Sequence, residues 1–263
     1  MNFSDIEYER RGAAGWITLN RPAELNSLSL AILQEIPVAL DLALRDREVK
    51  AIVFTGAGRA FCAGADLKFV NDLAPERRTS ETRDFIARAA AMVDRIEAFP
   101  KPVIAAVNGI ATAGGMELLL GCDIVFAARS ARMGDGHSNY GLVPGAGASV
   151  RLPRKIGINR AMYLFYSGEL LQADEMAAAG LVNRVFDDGV LRPAVEEFVV
   201  KLATKSPLGL ARMKAMALES FDKSTANGIA HEQLVSELHA HSFDRNEGIA
   251  AFSEKRRPEF QGR

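Results

Sequence analysis

The chain has 263 residues, of which 48% are hydrophobic, and its formal net charge at pH 7 is −1. This length allows one large domain, alone or with an appendage, and the balanced charge argues against a broad surface for nucleic acid or acidic membranes. Two cysteines do not make a disulfide framework and suit a reducing compartment, so we expect a cytoplasmic protein. Neither a signal peptide nor a membrane span is expected, because no long apolar run occurs.

The first elements alternate between strand and helix patterns. Residues 6–10 and 15–19 predict the two strands of a hairpin. Ser29 is placed to cap a helix that extends to residue 44, with a bend at Pro37 inside it. Residues 51–54 predict a buried strand.

A glycine-rich loop, residues 55–66, follows that strand and could suggest a dinucleotide site. Gly56 and Gly58 fit the fingerprint G-x-G-x-x-G, but Phe61 stands where the third glycine belongs. No P-loop lysine is present either, so the loop does not predict a Rossmann site. Asp66, at the end of the loop, is predicted to cap a short helix.

The central part of the chain predicts a buried strand, a short helix and a second buried strand. After a helix at 82–98, residues 102–107 form an apolar run, residues 116–120 favour helix, and residues 122–127 are apolar again. Within this stretch Glu117 is unusual, because an unpaired carboxylate is costly to bury. It is either paired for structure or placed in a functional site; Gly114 and Gly115, just before it, favour a site where the backbone approaches a ligand.

The second half of the chain begins with a long loop region and is then mostly helical in pattern. Residues 132–153 form a long glycine-containing region with Asp135 and His137, which we interpret as a functional loop. Residues 136–141 nearly match G-x-S-x-G, but the last glycine is one residue late for a nucleophile elbow. Further helices are predicted at 159–166, 172–179, 190–205, 207–220, 225–243 and 246–256, with a strand at 181–186. The sequence thus predicts an α/β core over 1–190 and a helical region over 191–263.

Seven groups of residues, in order along nearly the whole chain, resemble the crotonase superfamily, the enoyl-CoA hydratase/isomerase family. Each group alone is weak evidence for the family, but seven groups in this order and at these separations are strong evidence. They are NRP (20–22) with Asn26 and Leu28, AFCAGADLK (60–68), KPVIAAVNG (101–109), GGME (114–117) with CDI (122–124), PGAG (144–147), AAGLVNRV (178–185) and FSEK (252–255).

The resemblance implies an α/β fold, a crotonase-like spiral of ββα units, with a C-terminal helical region that forms trimers, often paired into hexamers. It also implies an acyl-CoA thioester substrate, no separate cofactor because coenzyme A is part of that substrate, and no metal. The thioester oxygen would lie in an oxyanion hole formed by the backbone N–H groups of Ala65 and Gly114. Glu117 matches the family's first catalytic glutamate, which activates water or moves a proton.

His137 stands where the hydratases of the family carry a second glutamate. An imidazole with an ordinary pKa of about 6.5 works as an acid or a base near neutral pH, so His137 is a candidate catalytic residue. The alternative is that it is a polar loop residue and that Glu117 works alone.

Other positions are candidates for substrate contact. The predicted substrate-binding residues are Ala63, Asp66, Leu67, Lys68, Gly115, Met116 and Leu142. Candidates for the CoA phosphates are Lys68, Arg59, Lys255, Arg256 and Arg257. For each, surface charge or core packing is the alternative, and Ala23 replaces a lysine that is frequent in the family.

The leading interpretation is therefore a lyase that hydrates a 2-enoyl-CoA to a 3-hydroxyacyl-CoA. Because of His137, the rivals within the superfamily are an isomerase, a thioester hydrolase, a decarboxylase and a carbon–carbon lyase. An RNA-binding member is a further alternative that the neutral net charge disfavours. The predicted partners are thus an acyl-CoA and further copies of the chain, without membrane or nucleic acid.

Overall fold

A computed structural model describes residues 3–263. Ten strands in it form two sheets. Their bounds are β1 Ile6–Arg11, β2 Ala14–Leu19, β3 Ala51–Gly56, β4 Ala60–Cys62, β5 Val103–Val107, β6 Ile110–Thr112, β7 Ile124–Ala128, β8 Arg132–Gly134, β9 Leu171–Gln172 and β10 Arg184–Phe186. The larger sheet has the order β1-β2-β3-β5-β7-β10 and is parallel except for the β1–β2 hairpin. The smaller has the order β4-β6-β8-β9 and is antiparallel only between β8 and β9.

From β3 to β8, consecutive strands alternate between the sheets. The pairs β3/β4, β5/β6 and β7/β8 each place one strand in the larger sheet and the next in the smaller one, and a helix follows each pair. This repetition is the predicted spiral of ββα units. The strands of the larger sheet from β2 to β7 are almost wholly buried, as expected of parallel strands with cover on both faces.

Eleven α-helices complete this part of the chain. Their bounds are α1 Leu30–Arg45, α2 Leu67–Asp72, α3 Pro75–Glu97, α4 Gly114–Leu120, α5 Ala148–Ile156, α6 Ile158–Ser167, α7 Ala173–Ala178, α8 Leu191–Leu202, α9 Pro207–Glu219, α10 Thr225–Ala240 and α11 Phe243–Glu254. Ser29 caps α1 by accepting the Ile32 N–H at 3.1 Å, and Asp66 caps α2 through the N–H groups of Lys68 and Phe69, both as predicted. No helix among residues 3–263 has the length and apolarity needed to cross a bilayer.

Two predicted segments differ from the structure. Helix α3 begins at Pro75 rather than at 82, because its first turns are polar and carry no apolar stripe, while a proline suits the first turn of a helix. The region 132–153 is only partly a loop. It contains β8, a short 3-10 turn at His137–Tyr140 and the start of α5, in which Pro153 is accommodated.

The C-terminal helices are packed unequally. Helix α8 buries Leu191, Val195 and Val199 in the same core as the larger sheet. Helices α9 and α10, in contrast, contain no fully buried residue. The division at residue 190 stays a prediction, and the helices without fully buried residues begin after α8.

Gly115 allows α4 to lie directly on β4. A Cβ at this position would overlap the carbonyl carbon and oxygen of Cys62. We expect Gly115→Ala to lower the free energy of unfolding by about 1–3 kcal/mol or more, because overpacking forces the backbone apart. Denaturant unfolding checks this, with Gly189→Ala as the control, since a Cβ there meets nothing within 4 Å. Equal stability of both variants would contradict the close packing of α4 on β4.

Candidate active site

The Glu117 carboxylate is buried, with 4% of the residue exposed, and lies one turn into α4. Its Oε1 accepts hydrogen bonds from the backbone N–H groups of Gly145 at 3.1 Å, Ala146 at 2.6 Å and Ala148 at 3.3 Å. These donors surround the start of α5, where the helix dipole also favours a negative charge. The burial of Glu117 is thus compensated by backbone donors rather than by a cation.

The other oxygen of this carboxylate remains available. Among residues 3–263, none donates a hydrogen bond to Glu117 Oε2, and this atom is not among the buried polar atoms that lack a partner. One oxygen is therefore fixed while the second is reachable for a small molecule such as water. This arrangement suits a base whose position is set in advance.

The backbone amides of Ala65 and Gly114 lie side by side. An ideal Cβ built on Gly114 would lie 3.4 Å from the Ala65 nitrogen, and one built on Gly64 would lie 3.4 Å from the Gly114 nitrogen. A parallel bridge joins Ala65 to Leu28, in which the Leu28 N–H donates to Gly64 O at 2.7 Å and the Asp66 N–H donates to Leu28 O at 3.0 Å. Since the flanking residues make these bonds, the Ala65 N–H points away from Leu28.

Neither N–H has a backbone acceptor within the described part of the chain outside the regular elements, and Gly114, as the first residue of α4, has no partner within its helix. Two adjacent donors, one of them at the positive end of a helix dipole, have the arrangement that would stabilise a negatively charged oxygen. The structure thus brings Ala65, Gly114 and Glu117 to one place.

Ala113, just before this helix, has a backbone conformation that is unusual for a residue with a side chain. Its φ is 49° and its ψ is −120°. Such a conformation costs on the order of 1–3 kcal/mol and persists only where neighbours hold it. Here the Ala113 N–H donates to the carbonyl oxygen of Asp135 at 2.6 Å, so the turn that contains Asp135 fixes the entry to α4.

His137 is paired with Asp135. The imidazole Nδ1 lies 3.0 Å from both carboxylate oxygens of Asp135, and the side chains of His137 and Asp135 are 11% and 2% exposed. Burial lowers the pKa of His137, but the hydrogen bond and charge of Asp135 and the charge of Glu117 outweigh it, so the pKa lies above its ordinary value.

The predicted substrate-binding residues have different environments. Leu67 and Leu142 are each 44% exposed, Lys68 is exposed and Ala63 is half-buried. By contrast, Met116 is fully buried in the hydrophobic core, and Gly115 packs against Cys62. Their contact with substrate stays a prediction, and the exposed members have the clearest access to a ligand.

The charged candidates also differ in how far they are already engaged. The Asp66 carboxylate caps α2 and accepts a hydrogen bond from Arg21 at 2.8 Å, and this pairing holds the pKa of Asp66 below its usual value despite partial burial. Arg256 is bound to Glu247 at 2.6 and 2.8 Å. Arg59, Lys68, Lys255 and Arg257 are exposed. Of the phosphate candidates, these four are the better placed for a CoA phosphate.

Two features of the site were not assigned from the sequence. The first is the group of three backbone N–H donors to Glu117 Oε1, from Gly145, Ala146 and Ala148, which we call the cradle. The motif PGAG lies in this segment. The second is the role of Asp135, which stands two residues before His137 in the predicted loop. The first depends on contacts between segments 28 to 31 residues apart, and the second on the geometry of a turn; local pattern specifies neither.

Comparison with known proteins identifies the group to which this site belongs. The sequence profile described as enoyl-CoA hydratase/isomerase matches residues 9–263. The 2,3-dehydroadipyl-CoA hydratase of Escherichia coli is 38% identical over 260 residues, covering 99% of this chain and 100% of that protein. The crotonyl-CoA hydratase of Syntrophomonas wolfei is 35% identical over 261 residues, covering 99% of each chain.

Solved structures agree with the sequence relatives. The enoyl-CoA hydratase of Bacillus anthracis superposes with a TM-score of 0.93 at 36% identity, covering 99% of this chain and 100% of that one. A Geobacillus kaustophilus protein of the same type gives a TM-score of 0.91 at 38% identity, covering 99% of each chain. These structures confirm the predicted crotonase-like α/β fold. The chain belongs to the enoyl-CoA hydratase/isomerase family and is an enzyme of that type.

Proposed function

We propose that this enzyme adds water to the double bond of a 2-enoyl-CoA and gives a 3-hydroxyacyl-CoA. The observation that carries the proposal is the pair of adjacent N–H groups of Ala65 and Gly114, one helical turn from the Glu117 carboxylate. The relatives named above as hydratases of dehydroadipyl-CoA and crotonyl-CoA support the same substrate class.

In this mechanism the thioester oxygen accepts hydrogen bonds from both amides. Conjugate addition moves electron density onto that oxygen, and the two donors stabilise the resulting enolate. Glu117 Oε2 takes a proton from water as the water oxygen bonds to the β-carbon. His137 gives a proton to the α-carbon, and the proton on Glu117 then returns to His137, so the enzyme is restored.

The site needs no separate cofactor or metal for this chemistry. Charge develops on one oxygen, the two amides stabilise it, and two side chains move the protons. Coenzyme A is part of the substrate. The candidates for its phosphates are the exposed cations Arg59, Lys68, Lys255 and Arg257.

We further propose a reducing, cytoplasmic setting, since Cys62 and Cys122 are free and buried and burial raises the pKa of each thiol to about 12.

A panel of acyl-CoA esters in isotopically labelled water, read by mass spectrometry, tests the reaction. Hydration incorporates one labelled oxygen into the intact thioester of a 2-enoyl-CoA. A product of unchanged mass shows isomerisation, free CoA shows hydrolysis, and a shortened thioester shows cleavage or decarboxylation. Any of these as the main product would overturn hydration in favour of the corresponding crotonase reaction.

We also propose that the active form is a homotrimer or a hexamer built from two trimers. Helices α9 and α10 have no buried residues, and the C-terminal helices expose large apolar side chains, namely Met213, Phe221, Ile229, Leu234, Leu238, Phe243, Ile249 and Phe252. Cavities of about 810 and 1000 Å³ lie beside α9, and neither is lined by Glu117 or His137. Incomplete packing of these helices within one chain is what a subunit interface requires.

Light scattering at micromolar concentration is expected to give the mass of a trimer or a hexamer. Replacing Leu234 and Leu238, which are 65% and 61% exposed, with glutamate is expected to lower that mass, because buried charges disfavour the interface. A monomer mass for the unmodified chain would contradict the proposed assembly.

A further inference from the structure

Asp135 is a buried carboxylate with few partners. Its residue exposure is 1%, and within residues 3–263 its side-chain oxygens meet only the His137 backbone N–H, at 3.2 Å, and the His137 imidazole. No lysine or arginine of the described residues pairs with it. A charge buried without a counter-charge is costly, so the imidazole is the group that compensates it.

We propose that Asp135 is a positioning residue that holds His137 as an imidazolium with its Nε2–H directed to the reacting carbon atoms, so that His137 is the acid and Glu117 the base. This inference rests on the proposed hydration and says what holds His137 in the form and orientation that donates the proton. It also explains how the enzyme does without a second glutamate.

The contact with Asp135 determines the tautomer of His137. A nitrogen 3.0 Å from both oxygens of a carboxylate carries a hydrogen, so Nδ1 is the donor to Asp135. The orientation of the ring is then fixed, and Nε2 is the nitrogen left for substrate. Catalytic carboxylate–histidine pairs use the same division, in which the carboxylate orients the ring and stabilises its charged form without itself reacting.

The residue types at positions 117 and 137 decide which side chain is the base and which is the acid. Two carboxylates close together repel each other, and one of them is favoured in the neutral form. A carboxylate and an imidazolium attract, so each is stabilised in the charged form. With His137 in place of a second carboxylate, the acid and the base are therefore assigned by residue type before substrate arrives.

Asp135 is also connected to the proposed oxyanion hole through its backbone. The backbone carbonyl of Asp135 accepts the Ala113 N–H at 2.6 Å, and Thr112 Oγ1 donates to the same oxygen at 3.3 Å. Ala113 directly precedes the donor Gly114. One residue thus fixes the imidazole through its side chain and the start of α4 through its backbone, which sets the distance between the proton donor and the thioester oxygen.

The charged groups that act on His137 are few. Asp135 acts from the preceding turn and Glu117 acts from α4, both raising the pKa against the effect of burial. Helix α6 packs against the turn that carries His137; its Arg160 and Tyr166 are exposed, and its Tyr163 hydroxyl donates to Glu169. Replacing Asp135 therefore removes the nearer of two stabilising charges.

The test measures the titration of His137 directly by NMR in the ligand-free full-length protein, with the His137→Gln variant used to assign its signal among the four histidines. Asp135→Asn keeps an acceptor for Nδ1–H and removes the charge. We expect the pKa of His137 to fall by at least about one unit, since a neighbouring opposite charge shifts a pKa by about 1–3 units. An unchanged titration would overturn the proposal.

Thr112→Val is the matched control, because it removes a contact to the Asp135 carbonyl and leaves the carboxylate in place. Its His137 titration is expected to match the wild type. If Thr112→Val shifts the pKa as much as Asp135→Asn does, the effect comes from disturbance of the turn, and the proposal fails.

Activity supplies a second readout. The imidazolium form is lost as pH rises through the raised pKa of His137, so kcat/KM falls on the alkaline side, and in Asp135→Asn this fall moves to lower pH. An alkaline limb that stays in place would contradict the assigned acid. Absence of turnover on every enoyl-CoA would defeat the proposed function, yet the NMR titration would still decide whether Asp135 controls His137.

Discussion

Replacing Glu117 with glutamine is expected to lower kcat about 10²–10⁴-fold, which is the usual contribution of one general acid or base. The amide oxygen of glutamine can still accept the N–H groups of Gly145, Ala146 and Ala148, so the fold and the affinity for substrate should be retained. Only the basic oxygen that activates water is lost. The loss should therefore appear in kcat with little change in KM.

Steady-state kinetics on a short 2-enoyl-CoA, with thermal unfolding of the same samples, checks this expectation. Glu197→Gln, on the exposed side of α8, is the control and should retain full activity. Near-normal turnover of Glu117→Gln would remove Glu117 from the mechanism. A Glu117→Gln protein that is inactive and unfolded would instead show that the carboxylate is required for the cradle and would assign it a structural role.

The second large effect is expected at Gly114. Proline is tolerated at the first position of a helix but has no N–H, so Gly114→Pro removes one oxyanion donor. Losing one such donor costs about 2.7–4 kcal/mol of barrier, and we expect kcat to fall about 10²–10³-fold.

Gly114→Ala is the matched variant, since it adds a Cβ and keeps the N–H. That Cβ would lie 3.0 Å from Leu28 Cδ1, the end of a flexible side chain, so a modest loss of activity is expected. If the alanine and proline variants lose activity equally while both remain folded, the effect is steric, and the Gly114 N–H has no special role.

Much of the architecture follows from residue pattern. The apolar runs of β3, β5 and β7 and the cap residues Ser29 and Asp66 carry strong local signals, and the structure has these elements where they were predicted. The predicted start of α3 is wrong because the first turns of this helix are solvated and have no periodic apolar face. The start of α5 was missed because glycine and proline around it are typical of loops.

The active site, like the fold, is predicted from the sequence only in part. The glycines before Glu117 mark a close approach of backbone to a ligand, and the family motifs align Ala65 and Gly114 as donors. What the sequence could not show is which group compensates each buried charge. The carboxylate of Glu117 is met by amides of a segment 28 to 31 residues away, and the imidazole of His137 by a carboxylate two residues away in a bent turn. Such pairings depend on tertiary contacts and on the turn geometry, not on periodicity.

A structure of the enzyme with a bound, slowly reacting acyl-CoA tests the central claim most directly. We expect the thioester oxygen to lie about 2.7–3.2 Å from both the Ala65 and the Gly114 nitrogen, with Glu117 Oε2 facing the β-carbon. A thioester oxygen that lies beyond hydrogen-bond distance of either nitrogen, or an acyl group bound away from Glu117, would contradict it.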